Sequence, residues 1–463
     1  MNKFKNKYIG NKEFYRMILM LAIPIMIQNG ITNLVNMVDN IMIGQVGTNQ
    51  MTGVAIVNQL IFVFNLCIFG AIAGPGIFTA QFYGSDNNEG IQHTFRFKIL
   101  IAFAITLIAY AVFYFAGDSL ISSYLTGEGS KQEALLSMKY AKEYLSIMLV
   151  GMLPFAAVQV YSGTLRECSE ARIPMTAGII AVIVNICFNY VLIFGKFGAP
   201  ALGVRGAAIA TVISRFAELI FIASWTHIHK NQHPFIQKIY SSFKIPKTLS
   251  INMFKKGIPL LFNEGLWAAG TATFTQCYSL RGLNIVAALN ISTTISNVFN
   301  VTFIAFGSVA SIVLGQLLGA NKKEEAMQTA HKLIFAALTI CTAIGLFVML
   351  PLSGVFPQIY NTTTEVKNLA TSLICVYALC MPIYVYVNTA YFIIRSGGKS
   401  VITFLFDSVF MWCFFLPVIF ILSRYTNIPI LPLYTICQLL DLIKCVIGHF
   451  MIKKGIWLNR IIT

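Results

Sequence analysis

Asp39 stands in an apolar run of roughly 25 residues, and Asn29, Thr32, Asn33 and Asn36 precede it at three- and four-residue steps. On a helix this spacing gathers them on one face, with Asn40 beside the carboxylate. A face of amides and one acid is costly against lipid tails, so it must look into a helix bundle or a wet cavity. No Lys or Arg lies within one turn of Asp39 to neutralise it. A carboxylate so placed can bind and release a proton or give an oxygen ligand to Na⁺. The plainer role is a neutral acid hydrogen-bonded between helices.

A second acid, Glu264, follows Asn263 in another apolar run and shares a face with Trp267, Thr271, Thr275 and Tyr278. An embedded acid beside an aromatic ring suits an organic cation or a coupling ion. An ion pair with a basic residue elsewhere is the alternative. Tyr377, Tyr384 and Tyr391 recur at seven-residue steps with Met381 and Asn388 on the same side. Such a stripe packs helices more often than it binds ligands, though hydroxyls tolerate a cavity better than acyl chains. Arg215 with Glu218, and Asp441 with Lys444, stand three apart and are expected to neutralise each other as structural pairs, with Asp407 joining the second.

The elements that hold these groups follow from composition. The 463 residues are 57% hydrophobic and 11% charged, too few charges for an ordinary water-exposed surface. The mean hydropathy is +0.73. Continuous apolar runs rather than ~10-residue alternating segments exclude a membrane barrel and predict an all-α membrane protein of about twelve transmembrane helices. In the first half they lie near 17–43, 52–82, 92–116, 135–165, 171–195 and 202–227. In the second they lie near 251–279, 284–318, 328–350, 366–395, 400–424 and 429–452.

The net charge of +16 does not mark a nucleic-acid partner, because most Lys and Arg flank spans on one side. The N-terminal tail, the 227–256 region and Lys453–Lys454 hold most of them, which predicts both termini in the cytoplasm of an inner-membrane protein. The hydrophilic start reads as a retained tail, since the run after it is too long for a cleaved signal. Ten cysteines form no CxxC or paired framework, and no metal site is assigned to the six histidines. No nucleophile–base set at helical spacing suggests an enzyme, and no filter-like loop suggests a channel.

The longest hydrophilic connection divides the chain into two lobes, 1–227 and 251–463, joined by a cytoplasmic loop at 228–250. A shift of 235 residues lays Pro24 on Pro259, Gly30 on Gly265, Asn65 on Asn300, Gln81 on Gln316 and Gly84 on Gly319. A weaker echo relates Pro154–Arg166 to Pro382–Arg395. About six spans repeated after six predict parallel, pseudo-symmetric repeats with a cavity where the bundles meet, a layout suited to rocking of one lobe against the other.

Ala22-Ile23-Pro24 through Val38-Asp39-Asn40-Ile41-Met42-Ile43-Gly44 resembles the opening of multidrug and toxic compound extrusion (MATE) transporters, of the MOP flippase superfamily. Asn40 replaces the usual Thr of that stretch. Gln81–Gly84, Pro154–Arg166 and Asn185-Ile186-Cys187-Phe188-Asn189 extend the resemblance along the whole chain. It implies a cation-coupled antiporter, using H⁺ or Na⁺ and no other cofactor, that exports amphipathic and mostly cationic compounds as a monomer in the bilayer. Asp39 matches the family's N-lobe carboxylate for H⁺ or Na⁺, Asn185 its fifth-span amide partner and Thr211 a sixth-span hydroxyl. Asn189 stands where some archaeal members carry Asp. Glu264 matches a seventh-span glutamate, while the tenth-span acid of the same members falls near Tyr384, where this chain has none. Asn29, Asn36, Trp267, Thr271, Tyr278 and Tyr384 are the expected substrate-cavity residues. A lipid-linked oligosaccharide flippase of the same superfamily is the alternative, disfavoured by cavity faces rich in amides, hydroxyls and acids rather than basic groups.

Overall fold

A chain with so many apolar runs has one economical solution in lipid: helices, which satisfy every backbone N–H and C=O within the segment. The computed structural model describes residues 7–125 and 131–462, with the backbone alone for 34–37, 40, 131 and 283. The first half forms α1 (Lys12–Gly44), α2 (Thr48–Gly84), α3 (Asn88–Leu125), α4 (Lys131–Glu167), α5 (Arg172–Phe194) and α6 (Val204–Ile228). The second forms α7 (Lys247–Ser279), α8 (Leu283–Gly319), α9 (Lys323–Ile359), α10 (Thr364–Ser396), α11 (Ser400–Tyr425) and α12 (Ile430–Lys453). Among the described residues there is no strand.

Eleven of these helices are long and apolar enough to cross a membrane. The exception is α7, which has the length, 33 residues, but carries Lys255, Lys256, Asn263, Glu264 and Gln276. The polar groups that make α7 chemically interesting are the ones that lower its hydropathy.

Proline and glycine shape the helices. Pro24 of α1 and Pro259 of α7 interrupt the i→i−4 ladder at matching places in the two halves, and Pro75, Pro154 and Pro382 do so in α2, α4 and α10. Gly195 ends α5 at φ +66°, where a Cβ would lie 2.7 Å from Ala201 N. α9 includes a π-helical turn at Gly345–Met349, and α11 includes two, at Leu405–Val409 and Met411–Phe415. Such wider turns often coincide with functional sites, and the first one in α11 carries Asp407.

The chain packs as two compact units. The N unit comprises Ile27–Thr79 and Asn88–Phe254, and its apolar core joins Val57, Ile121, Ala141, Tyr144, Ile193 and Ala208. The C unit comprises Lys255–Thr463 with Met1–Met26 and Ala80–Asn87, and its core joins Tyr278, Ala288, Leu373, Ile419, Leu433 and Cys437. Within the N unit α6 lies along α4 and α5; within the C unit α10 lies along α8.

The hydrophilic stretch after α6 is docked rather than loose. Phe235 is buried against Phe95 of α3, and Arg96 Nε donates to Ile239 O at 3.0 Å. Tyr161 of α4 reaches the Tyr240 hydroxyl and His227. A charged pair with an enclosed lysine lies in the same unit. Lys98 of α3, fully enclosed, bonds Glu167 of α4 and donates to Thr164 Oγ1 at 3.1 Å.

In the C unit the duplicated Gln81–Gly84 and Gln316–Gly319 stretches meet each other. A Cβ on Gly84 would lie 1.9 Å from Gln316 O, and one on Gly319 would lie 1.9 Å from Gln81 O. Only glycine lets these two helix ends cross backbone on backbone. The Gln81 side chain then ties the crossing to the C-terminus, donating to Ser396 O at 3.3 Å and Asn459 O at 3.2 Å and accepting from Ile461 N at 2.8 Å.

Candidate functional site: an amide-held carboxylate and a charged aromatic cleft

Asp39 lies near the end of α1, inside the N unit, and α5 and α6 bring its partners to it. Asn185 and Asn189 are one turn apart on α5, and both are buried. Asn189 Nδ2 donates to Asp39 Oδ1 at 2.5 Å and to Asn185 Oδ1 at 3.0 Å. Asn185 Nδ2 donates to Thr211 Oγ1 of α6 at 3.3 Å, and that hydroxyl donates to Ala207 O at 3.0 Å. Amide donors are the ordinary way to hold a carboxylate without cancelling its charge. Asn189 Oδ1 is buried and has no hydrogen-bond partner among the described residues, so an oxygen acceptor sits unused on the residue that holds Asp39.

Arg215, one turn beyond Thr211 on α6, is close enough for its charge to act on Asp39. Its nearer partners are Glu218, 3.6 Å away, and the Phe155 ring, whose centroid lies 4.8 Å from the guanidinium. Tyr144 of α4 donates to Asn58 Oδ1 at 3.3 Å and also feels the charges of Asp39 and Arg215. Among the described residues, the ion pairs within 4 Å include neither Asp39 nor Glu264.

The structure thus brings Asp39, Asn185, Asn189 and Thr211 into one network and places Glu264 elsewhere. Glu264 is half-buried on α7 in the C unit, with Arg395 and Asp407 as its charged neighbours. Asn263, beside it, bridges three helices. Its Nδ2 donates to Tyr391 Oη at 3.2 Å and to Asp407 Oδ2 at 3.1 Å, and its Oδ1 accepts from Ser408 Oγ at 2.7 Å. Asn29 is half-buried on α1. The Asn36 side chain lies outside the described residues.

A cleft of about 300 Å³ opens within the C unit between α7, α8, α10, α11 and α12. Trp267, Thr271 and Tyr384 line it; Tyr278 does not, being fully buried in the core and edge-on to Phe274. Tyr384 donates to Gln438 Oε1 at 2.5 Å and Tyr377 to Asn300 Oδ1 at 2.6 Å, so both line the cleft with their hydroxyls satisfied.

The cleft also contains residues that the sequence did not mark for it. Asp407, Asp441 and Lys444 lie on its wall. Lys444 Nζ is 3.1 Å from Asp407 Oδ1 and 3.9 Å from Asp441 Oδ1, so the helical neighbour is the more distant partner. Ser292, Ser296 and Asn300 line it from α8. Their four-residue spacing in an apolar span was the available signal, as was Tyr434, Gln438 and Asp441 on one face of α12.

The MatE family profile matches residues 24–191 and 259–421, one copy in each half. A probable multidrug resistance protein NorM of Thermotoga maritima is 26% identical, over 99% of this chain and 96% of that one. Multidrug resistance protein MdtK of Yersinia pseudotuberculosis is 26% identical over 79% of this chain and 78% of its own length. Among solved structures, MATE in the bent conformation superposes with a TM-score of 0.84 at 18% identity, covering 96% of both chains. Its likeness is one of fold. With the family profile present in both halves, the chain belongs to the MatE family, the multidrug and toxic compound extrusion transporters, and is a multi-pass membrane protein of a secondary-transporter family.

Proposed function

We propose that the protein is a cation-coupled antiporter that exports amphipathic, mostly cationic compounds by alternating access, with Asp39 as the coupling carboxylate. The observation that carries this reading is the setting of Asp39. It is held by an amide donor at 2.5 Å, has no cationic partner within 4 Å among the described residues, and lies beside the unpartnered Asn189 Oδ1. Such a carboxylate can accept a proton, and together with a second oxygen it can ligate Na⁺. Asn185, Asn189 and Thr211 fix its orientation, and Glu264 supplies a second embedded carboxylate in the C unit. Coupling requires Asp39 to release its ion once per cycle, driven by different affinities in the inward- and outward-open states.

The curated relatives named as multidrug resistance proteins support export of small amphipathic molecules. A cleft with two acids, one lysine and aromatic walls suits a cation better than the pyrophosphate of a lipid-linked sugar. The clustering of Lys and Arg at one side of the spans supports an inner-membrane location with both termini in the cytoplasm, and the monomer is the functional unit in this reading. Purified protein in proteoliposomes, given separate proton and sodium gradients, tests it. The parent exports ethidium under one of the two gradients, and a monodisperse Asp39→Asn does not. Undiminished gradient-driven efflux by that variant refutes the role.

A further inference from the structure

The coupling network leaves the charges of the C-unit cleft unused. Asp407 is held twice, by Lys444 Nζ at 3.1 Å and by Asn263 Nδ2 at 3.1 Å on its other oxygen. Asp441 has the looser contact with the same ammonium, at 3.9 Å. Two carboxylates share one ammonium, and Asp441 has the weaker hold on it. Aromatic residues line the same cleft: Trp267, Phe274, Phe415 and Tyr434, with Tyr377 and Tyr384 tilted against each other at 4.7 Å between centroids. Ser296, 4% exposed, lines the same cleft, and its hydroxyl has no hydrogen-bond partner among the described residues. A weakly partnered carboxylate, several aromatic side chains and a serine hydroxyl line one space. They describe a site for an aromatic cation with a polar substituent.

We propose that Asp441 anchors the positive charge of such a ligand, and that Lys444 is a tethered cation which occupies the anchor until the ligand displaces it onto Asp407. The substrate class rests on the reading that the chain exports amphipathic cations. Lys444 suits the part because its ammonium is a compact charge on a flexible stem. It already has a better partner in Asp407, and it lies 5.3 Å from the Phe410 ring centroid. When a ligand's charge reaches Asp441, Lys444 gives up the longer of its two contacts and keeps the shorter. When the ligand leaves, Lys444 returns, so Asp441 is not left without a cation away from water, a costly arrangement. A neutral ligand finds the same rings but cannot make the exchange. The cleft therefore selects for charge.

Equilibrium binding tests this without any gradient. Ethidium, and the uncharged dye Nile red, are titrated by fluorescence into the full-length protein purified in detergent. Loss of the charge-assisted contact in Asp441→Asn is expected to weaken ethidium binding about tenfold or more, leaving Nile red unchanged. Asp441→Glu keeps most of the affinity. Lys444→Gln removes the competitor and tightens ethidium binding several-fold. Lys444→Arg, whose planar fork can grip both carboxylates, weakens it, and this variant serves if Lys444→Gln does not fold. The proposal is overturned if the parent binds no ethidium, or if a monodisperse Asp441→Asn binds it like the parent. It is equally overturned if Nile red affinity falls in parallel, or if Lys444→Gln weakens ethidium binding. The outcome is separable from the coupling role of Asp39. An Asp39→Asn protein that exports nothing, beside an Asp441→Asn protein with parental binding, leaves the antiporter standing and removes this site.

Discussion

Gly84→Ala and Gly319→Ala are expected to destabilise the C unit far more than an ordinary glycine change in a helix. In each case the new Cβ would lie 1.9 Å from a backbone oxygen of the opposing helix end, Gln316 O or Gln81 O. An ordinary carbon–oxygen contact is about 3.3 Å, so the overlap exceeds ~1 Å. The obstacle is backbone, which cannot rotate away as a side chain can. The helix ends must separate by about 1 Å, and this strains the three hydrogen bonds through which Gln81 holds the C-terminal segment. Overpacking costs roughly 1–3 kcal/mol and losing each of the three hydrogen bonds roughly 0.5–1.5, so a cost of about 2.5 to 7.5 kcal/mol is expected per substitution. Gly30→Ala and Gly265→Ala are the controls. The repeat pairs them in the same way, yet among the described residues nothing beyond the local helix backbone lies within 4 Å of a Cβ at either. There alanine should be neutral or gain up to about 1 kcal/mol from helix propensity. Apparent melting temperatures in detergent, read as loss of the monodisperse peak on heating, compare the four. Gly84→Ala and Gly319→Ala variants as stable as the controls would falsify the crossing.

Asn189→Ala removes the donor to Asp39 and the link to Asn185. Since a hydrogen bond to a charged group is worth about 1.5–3 kcal/mol, gradient-driven ethidium efflux should fall at least tenfold in a protein that still purifies normally. Glu167→Gln leaves the enclosed Lys98 ammonium without its counter-charge. A loss of about 3–5 kcal/mol is expected, partly restored in the Lys98→Met, Glu167→Gln double variant; melting temperatures of all three decide it. Asn263→Leu cuts the bridge from α7 to α10 and α11, so apparent melting should fall, while Glu264→Gln, which touches none of those bonds, should leave it unchanged.

Helix number and type were legible because apolar runs of this length have few other fates in lipid. The exception, α7, shows the limit: Asn263, which bonds Tyr391, Asp407 and Ser408, and Glu264 lower its hydropathy. The doubled Gln–Gly spacing was visible as punctuation, but its reason, a reciprocal crossing, is a contact between residues more than 200 apart. Helical periodicity tells which residues share a face and not what that face meets. It grouped Tyr278 with Trp267 and Thr271, although Tyr278 turns into the core and the other two reach the cleft. It also joined Asp441 to Lys444, whereas the lysine's closer partner is Asp407, on another helix and in a π-helical turn that no local pattern announces. The network of Asp39 with Asn185, Asn189 and Thr211 was suggested by family resemblance. Spacing alone cannot relate α1 to α5 and α6.

An antiporter moves ligand and ion in opposite directions, and in this reading Asp39 carries the ion. Counter-flux measures this directly: ethidium is added to one face of proteoliposomes holding the purified protein, with no ion gradient imposed, and a proton- or sodium-sensitive dye reports the other compartment. The parent should drive one of the two ions against the ethidium flow, and Asp39→Asn should move neither ion. Ethidium crossing with no ion response in the parent, or an equal response in Asp39→Asn, would contradict it.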